Sequence, residues 1–189
     1  MTGAPLRPTP AEIAAAVDRM VPDLVARRLR VLFCGINPGL YSAATGHHFA
    51  RPNNRFWPAL HLSGFTPRVM LPAQEQALLA LGIGITNLVP RATASAAELT
   101  PVELRRGRAA LERKVRRLRP RCVAVLGIGA YRAAFERPRA ALGLQRERVG
   151  GIPLWVLPNP SGLNANHQLP DLARAFGRVR RFAMARMPE

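Results

Sequence analysis

The chain has 189 residues, 48% of them hydrophobic, which is enough for one sizeable core and short for two domains. Its 28 Lys and Arg outnumber 11 Asp and Glu, so the net charge is +17 and the pI is near 11.8. Lys114 is the only lysine, and such a bias toward arginine could reflect a GC-rich genome, but codon usage does not explain the scarcity of acids. The excess charge therefore indicates an anionic partner, most simply nucleic acid.

Cysteine content and apolar patterning argue against several classes of protein. Cys34 and Cys122 lie inside apolar runs and are predicted to be buried, so neither a disulfide framework nor a thiolate cluster is expected. The N terminus lacks an apolar signal core, and no apolar run approaches the ~20 residues that span a bilayer. We expect a monomeric, cytoplasmic bacterial protein that associates with DNA and not with membranes.

The first part of the chain is rich in proline. Residues 1–10 are predicted to be a disordered tail, and a single domain is expected over 11–189. A short helix is predicted to begin at Thr9 or Pro10.

Four short apolar runs then follow at a spacing typical of alternating strands and helices, at residues 30–36, 83–88, 122–128 and 153–158. Helices are predicted over 104–121 and from about 170 to 184, each with an apolar stripe. Continuous apolar strands that alternate with helices favour an α/β fold. We expect a three-layer sandwich whose central, mainly parallel sheet has four to five strands between helices.

Polar residues follow the predicted strands. Asn37-Pro38 comes directly after the first strand, and Asn159-Pro160 after the last. Because the carboxyl ends of parallel strands share one edge of a sheet, the loops at 35–39, 87–93, 127–130 and 159–164 should converge on one crevice. Gly127-Ile128-Gly129 is only a weak match to a dinucleotide-binding fingerprint, since Arg132 replaces the third glycine, and a tight strand-to-helix turn is favoured.

Three motifs carry a family resemblance: Gly35-Ile36-Asn37-Pro38-Gly39, then Gly46-His47-His48-Phe49 with Asn54-Arg55-Phe56-Trp57, and Asn159-Pro160-Ser161-Gly162-Leu163. The order and separation of these motifs resemble those of the mismatch-specific uracil-DNA glycosylases and the related thymine-DNA glycosylases. The resemblance extends from about residue 31 to 182. The resemblance implies a uracil-DNA glycosylase fold. It also implies a monofunctional hydrolase, without cofactor or metal, that starts base excision repair. Its partner would be double-stranded DNA containing uracil, especially in U·G mispairs, or a related damaged pyrimidine.

The resemblance assigns Asn37 the catalytic role of positioning a water. Cleavage of an N-glycosidic bond builds positive charge on the sugar and negative charge on the departing base, so a held water and donors to the base are needed. An amide is not basic at neutral pH, which implies a slow enzyme that depends on a good leaving group. The alternative is that Asn37 only caps the turn before Pro38.

The substrate-binding residues implied by the resemblance are Ile36, Ser42, Phe49, Asn87 and Asn159. Phe49 would stack on the flipped pyrimidine, although an aromatic side chain in an apolar context is as often part of the core. Backbone groups of Ile36 and Phe49, with the Asn159 side chain, would meet the uracil edge. Ser42 would lie beside C5 of the base, where it and its hydration would crowd a thymine methyl.

A small-residue loop is predicted to contact DNA through Ser161, Gly162, Leu163 and Asn164. Leu163 resembles the family's wedge, which fills the hole that a flipped base leaves in the stack. Backbone groups of Gly162 and Asn164 would face the widowed guanine, and Ser161 would contact a phosphate. Residues 165–167 depart from the family, in which a basic residue can follow this loop.

Other titratable residues give weaker signals. His47 and His48 are adjacent, point apart and lack a third ligand at suitable spacing, so no metal is expected. Glu98 is a conceivable auxiliary acid or base, although a solvated residue at a helix start is the simpler interpretation.

Two other functions remain open at this point. One is a non-catalytic nucleic-acid-binding module that uses the Leu163 loop to sense distorted DNA. The other is a small nucleotide-binding α/β enzyme that uses the glycine turns. Base release from uracil-containing duplex separates glycosylase activity from both.

Overall fold

A five-stranded sheet forms the centre of the structure, a computed structural model in which residues 7–185 are described. Its strands are β1 (Val31–Gly35), β2 (Ile83–Asn87), β3 (Cys122–Leu126), β4 (Gly143–Val149) and β5 (Ile152–Leu157). The α-helices in this part of the chain are α1 (Pro10–Ala14), α2 (Leu40–Thr45), α3 (Phe56–Leu62), α4 (Pro101–Leu118), α5 (Ile128–Phe135) and α6 (Leu169–Met184), with 3-10 helices at Pro72–Leu81 and Ala96–Glu98.

The strand order is β2-β1-β3-β5-β4, and the first four of these strands run parallel. Every residue of β1 and β3 is buried, as expected for parallel strands covered on both faces. One hydrophobic cluster, around Phe33, contains residues of α3 and α6, and the other, around Leu32, contains residues of α4 and α5. The predicted three-layer α/β sandwich is confirmed.

The edge strand β4 has no counterpart among the four predicted apolar runs. It pairs antiparallel with β5, and its residues alternate between exposed and partly buried, with Arg146, Glu147 and Arg148 near its end. Gly150 and Gly151 join the two strands, both at positive φ, which is the conformation of a tight hairpin turn. The Gly-Gly pair is the sequence signal that could have revealed this strand, and the sequence analysis did not use it.

The predicted helices are present, with shifted ends. Helix α4 starts at Pro101, three residues earlier than predicted, because Thr100 and Glu103 form a capping box. It ends at Leu118, since Arg119 adopts the left-handed conformation. The predicted apolar stripes are buried, and α6 covers the sheet with Leu172, Ala175, Phe176 and Val179.

The N-terminal segment reaches the far edge of the sheet. Residues 1–6 of the predicted tail lie outside the described residues, whereas Thr9 caps α1 as predicted, with Glu12 completing a capping box. Further along, Leu24 exchanges two backbone hydrogen bonds with Ile85 at the open side of β2. Lys114 bonds to both Thr86 and Asp23, which ties this segment to α4. Within residues 7–185 every helix is too short or too polar to cross a bilayer.

Candidate active site

The loops at the carboxyl edge of the sheet surround one cavity of about 790 Å³. Nine of the ten predicted site residues line it: Ile36, Asn37, Ser42, Phe49, Asn87, Asn159, Ser161, Leu163 and Asn164. Gly162 lies in the same loop as the last three and is exposed. The parallel sheet thus brings together residues that are up to 128 positions apart in the sequence (from 36 to 164).

The Asn37 amide is held from the segment after β2. Its Nδ2 donates to the carbonyl of Arg91 at 3.1 Å and to Thr93 Oγ1 at 2.7 Å. A carbonyl can only accept, so this contact fixes which end of the amide faces Arg91. Thr93 Oγ1 in turn donates to the carbonyl of Ser95 at 2.8 Å, which leaves its lone pairs for Asn37. Both amide hydrogens are used, and Oδ1 remains as the acceptor that Asn37 offers to the cavity.

The segment that holds Asn37 is itself anchored to α4. The Arg91 guanidinium donates to Glu103 through Nε at 2.6 Å and Nη2 at 3.3 Å, and to Asp18 through Nη1 at 3.2 Å. Hydrogen bonds from Arg91 and Thr100 lower the pKa of Glu103 to about 2. Asn37 therefore bridges two loops and does not serve as the simple turn cap that usually explains an Asn-Pro pair.

Phe49 forms an aromatic wall of the cavity. Its ring stacks on that of Phe56, with centroids 4.1 Å apart and an angle of 24° between the planes. Phe56 is fully buried in the core, so Phe49 is supported on one face while it lines the cavity. Its backbone has φ of +52°, an uncommon conformation for a residue with a side chain. A flat base could stack on this ring.

Gly35 allows Asn87 to lie across the end of β1. The two residues are paired in the sheet, and a Cβ on Gly35 would stand 2.4 Å from Asn87 Oδ1 and 3.4 Å from Phe49 Cζ. Any larger residue at position 35 would displace the Asn87 side chain. The missing side chain thus makes room for an amide and an aromatic ring at the bottom of the cavity.

Asn159 presents a donor. Its Oδ1 accepts the Ser161 N–H at 3.0 Å, and its carbonyl accepts from Asn164 Nδ2 at 2.9 Å. What the side chain offers to the cavity is therefore the NH₂ group. The Ile36 carbonyl accepts from Val89 N–H at 2.9 Å, so Ile36 can offer its N–H to a bound base.

Ser42 is buried, and its hydroxyl accepts the Ala50 N–H at 3.1 Å. The Ala50 N–H occupies one acceptor position of this hydroxyl, and the contact with C5 of a base stays a prediction. Ser42 lines the cavity and at the same time holds the 46–50 loop that carries Phe49.

A buried carboxylate that the sequence analysis overlooked orders the same loop. Glu75 accepts the His48 N–H at 2.9 Å and lies 3.0 Å from His47 Nδ1. His48 Nε2 lies 2.9 Å from the carbonyl of Pro22, and burial lowers the pKa of this histidine. In the part of the chain that the structure describes, no three His, Cys, Asp or Glu side chains are grouped as metal ligands. Glu98 bonds to Ser95 N–H as part of a capping box, in line with the simpler interpretation.

The 161–167 loop carries the most exposed large apolar side chain in residues 7–185, Leu163, which is 72% exposed. The Asn164 backbone is held within the protein. Its N–H donates to the Ser161 carbonyl at 3.0 Å and its carbonyl accepts from Arg55, with a second lone pair left on that oxygen. The Ser161 hydroxyl accepts Leu163 N–H at 3.3 Å and keeps its own proton for a phosphate.

Three residues that shape the site had no assigned role in the sequence analysis: Arg55, Glu75 and Thr93. Arg55 lies in a motif used for the resemblance, but the motif does not show what the side chain contacts. Thr93 and Glu75 act through partners 56 and 27 or 28 positions away, and no local pattern predicts such contacts.

The comparisons with known proteins agree with this geometry. The sequence profile of the uracil DNA glycosylase superfamily matches residues 22–180, which is most of the chain. The chain therefore belongs to the uracil DNA glycosylase superfamily. Among solved structures, it is similar to a solution NMR structure of a candidate uracil DNA glycosylase from Methanosarcina acetivorans. The TM-score is 0.57 at 15% identity, over 88% of this chain and 98% of the other, which supports a common fold.

Membership of this superfamily supports DNA N-glycosylase activity, a hydrolase reaction, for this chain. The cavity provides what that reaction requires: an aromatic face, donors for a departing base and an acceptor for water.

Proposed function

We propose that this protein is a monofunctional uracil-DNA glycosylase of the mismatch-specific type, which removes uracil, especially from U·G mispairs, in double-stranded DNA. The observation that carries the proposal is the orientation of Asn37, whose amide is fixed by Arg91 and Thr93 so that Oδ1 faces the cavity. Phe49 and Asn159 line the same cavity.

Binding of the flipped base follows from these groups. A pyrimidine that stacks on Phe49 would gain ~1–3 kcal/mol. The NH₂ group of Asn159 and the N–H of Ile36 are donors, and they match the carbonyl oxygens of uracil. Negative charge spreads onto these oxygens as the glycosidic bond breaks, so the same hydrogen bonds strengthen in the transition state.

The water that completes the reaction would be held by Asn37. Its Oδ1 can accept one water hydrogen and so direct a lone pair of that water at the sugar carbon. Because the amide cannot take the proton, the glycosidic bond breaks first, the water oxygen then bonds to the sugar carbon, and its proton passes to the departed uracil anion or to solvent. The rate therefore depends on the stability of that anion. Uracil is a better leaving group in this sense when its oxygens are well hydrogen-bonded.

Access to the base requires its extrusion from the duplex. The exposed Leu163 side chain could fill the vacated position in the stack. A U·G wobble pair costs less to open than U·A, which favours the mispair. The charge of +17 would draw the protein to DNA, so affinity should fall steeply as salt is added.

The test is single-turnover base release from U·G, U·A and T·G duplexes and from single-stranded uracil DNA. We expect U·G to be fastest, with activity that survives chelation of metals. Asn37→Ala should lower release by about a hundredfold or more while the protein stays folded and binds DNA, with a melting temperature lowered by the loss of two hydrogen bonds.

Unchanged release by Asn37→Ala would refute the catalytic assignment. DNA binding without base release by the wild type would favour the non-catalytic module. Binding of free nucleotides with no response to duplex DNA would favour the third interpretation.

A further inference from the structure

Arg55 binds the 161–167 loop at three points and the preceding residue, Pro160, at a fourth. It caps the N terminus of α3, and its side chain ends beneath the loop. Nη2 donates to the carbonyls of Ser161 at 2.5 Å and Asn164 at 2.8 Å, and Nη1 donates to that of His167 at 2.6 Å. Its backbone N–H also donates to the carbonyl of Pro160 at 2.9 Å. One residue thus accounts for the inward direction of four carbonyls.

These contacts determine where Leu163 lies. Ser161 and Asn164 flank the turn, and both of their carbonyls point to the same guanidinium. The chain between them is thereby turned away from the protein, which is where Leu163 has its 72% exposure. A side chain so exposed has few packing contacts of its own, so the loop backbone must supply the order.

The segment that carries Arg55 also supports the loop by direct backbone contact. A Cβ on Gly162 would lie 2.5 Å from the carbonyl oxygen of Asn53 and 2.6 Å from its side chain. Only glycine allows this approach. The 53–55 segment and the 160–167 loop therefore pack as one unit.

The partners of Arg55 exclude an ion pair as the reason for its position. Its side-chain acceptors within residues 7–185 are main-chain carbonyls, and its Nε is buried without a partner. Burial of a guanidinium is costly unless hydrogen bonds compensate it. Here the loop carbonyls provide that compensation, so the arginine and the loop conformation depend on each other.

We infer that Arg55 is a positioning residue that holds the 161–167 loop so that Leu163 is presented to the DNA stack. The inference rests on the proposed function, because Leu163 matters only if a base is extruded. Arg55 acts through the loop and touches neither the base nor the water. Its loss should therefore impair base extrusion and leave bond cleavage intact.

The experiment compares Arg55→Met, which keeps the length without the donors, with Arg55→Lys, which keeps the charge with fewer directed hydrogen bonds. Single-turnover release is measured on a U·G duplex and on the same uracil strand alone. We expect Arg55→Met to lose up to roughly thirtyfold on the duplex, no more than the loss of the Leu163 side chain itself, and to stay near wild type on the single strand. Arg55→Lys should fall between. The matched control is Arg121→Met, since Arg121 donates to the Ala183 carbonyl at the opposite end of α6 and should leave both rates unchanged.

A double-mutant cycle tests whether Arg55 acts through Leu163. In a Leu163→Ala background, Arg55→Met should cost little further activity, because the group it positions is already gone. Losses that multiply, or equal losses on duplex and single strand, would overturn the inference. If Arg55→Met does not fold, as judged by circular dichroism, Arg55→Lys is carried through the same cycle.

Base extrusion is also followed without chemistry, by the fluorescence of 2-aminopurine placed beside the uracil, in an Asn37→Ala background. A signal that Arg55→Met abolishes supports the inference even if the wild type releases no base, in which case only the proposed function fails. A signal that Arg55→Met leaves unchanged overturns the inference, whatever the release assay shows.

Discussion

The loop after β1 and the loop after β5 line the same cavity, but different kinds of contact fix their conformations. Asn37 is fixed by a main-chain carbonyl and a buried hydroxyl, and these belong to a segment tied to α4. Leu163 projects from a loop that is held from beneath by Arg55. The first loop places a polar atom inside the protein, whereas the second places an apolar side chain outside it. Under the proposed function, this difference assigns chemistry and base extrusion to separate loops.

The largest difference between duplex and single-stranded DNA should come from the exposed loop. Leu163→Ala should lower release from a U·G duplex by roughly thirtyfold, which corresponds to about 2 kcal/mol of the cost of unstacking. Release from single-stranded DNA should change little, because nothing needs to be extruded. Single-turnover assays on both substrates check this, with Leu144→Ala as the control at another exposed leucine. Equal losses on both substrates would remove the proposed distinction between the loops.

Changes at the buried loop should lower base release equally on duplex and single-stranded DNA. Thr93→Val removes the acceptor of an Asn37 amide hydrogen at nearly constant volume, and release should fall about tenfold on duplex and single strand alike. Thr93→Ser keeps the hydroxyl and should restore most of the rate. A loss confined to duplex DNA, or a failure of serine to rescue, would show that Thr93 does not act through Asn37.

A smaller change is expected in base selection. Ser42→Ala enlarges the cavity slightly and removes the acceptor of Ala50 N–H, so some stability should be lost as well. The ratio of T·G to U·G release is insensitive to the folded fraction, and it should rise about fivefold. An unchanged ratio would mean that Ser42 only holds the Phe49 loop.

The smallest effect concerns the pH dependence of stability. The pKa of His48 is lowered by burial, despite nearby Glu75 and Asp23 and with His47 opposing its protonation. The unfolded chain therefore binds the proton first, and the free energy of unfolding should fall as the pH drops below about 6.5, by at most ~1.4 kcal/mol per pH unit. Urea titrations from pH 7.5 to 5 measure this slope. His48→Gln should flatten it, and His61→Gln should not; a slope equal in all three proteins would contradict the assignment.

The sequence predicted the fold more completely than it predicted the hydrogen bonds and contacts of the candidate site. Buried parallel strands such as β1 and β3 read as apolar runs, and from them the shared edge follows by topology alone. The β4 strand was not predicted because its outward-facing residues include Arg146 and Arg148, which leaves only part of an apolar pattern. Site positions came from motifs, but the directions of the Asn37 and Asn159 amides depend on partners far along the chain. The contact of Arg55 with the Asn164 carbonyl, 109 residues away, is likewise beyond any local pattern.

Neither edge strand of the sheet is well suited to pair with a strand of another chain. At β2, the Leu24 backbone already occupies groups of Ile85, and at β4 the exposed positions include Arg146 and Arg148. A covered edge and a charged edge are two of the means by which sheets avoid pairing with other chains. Many copies at high local concentration should therefore not aggregate through their sheets.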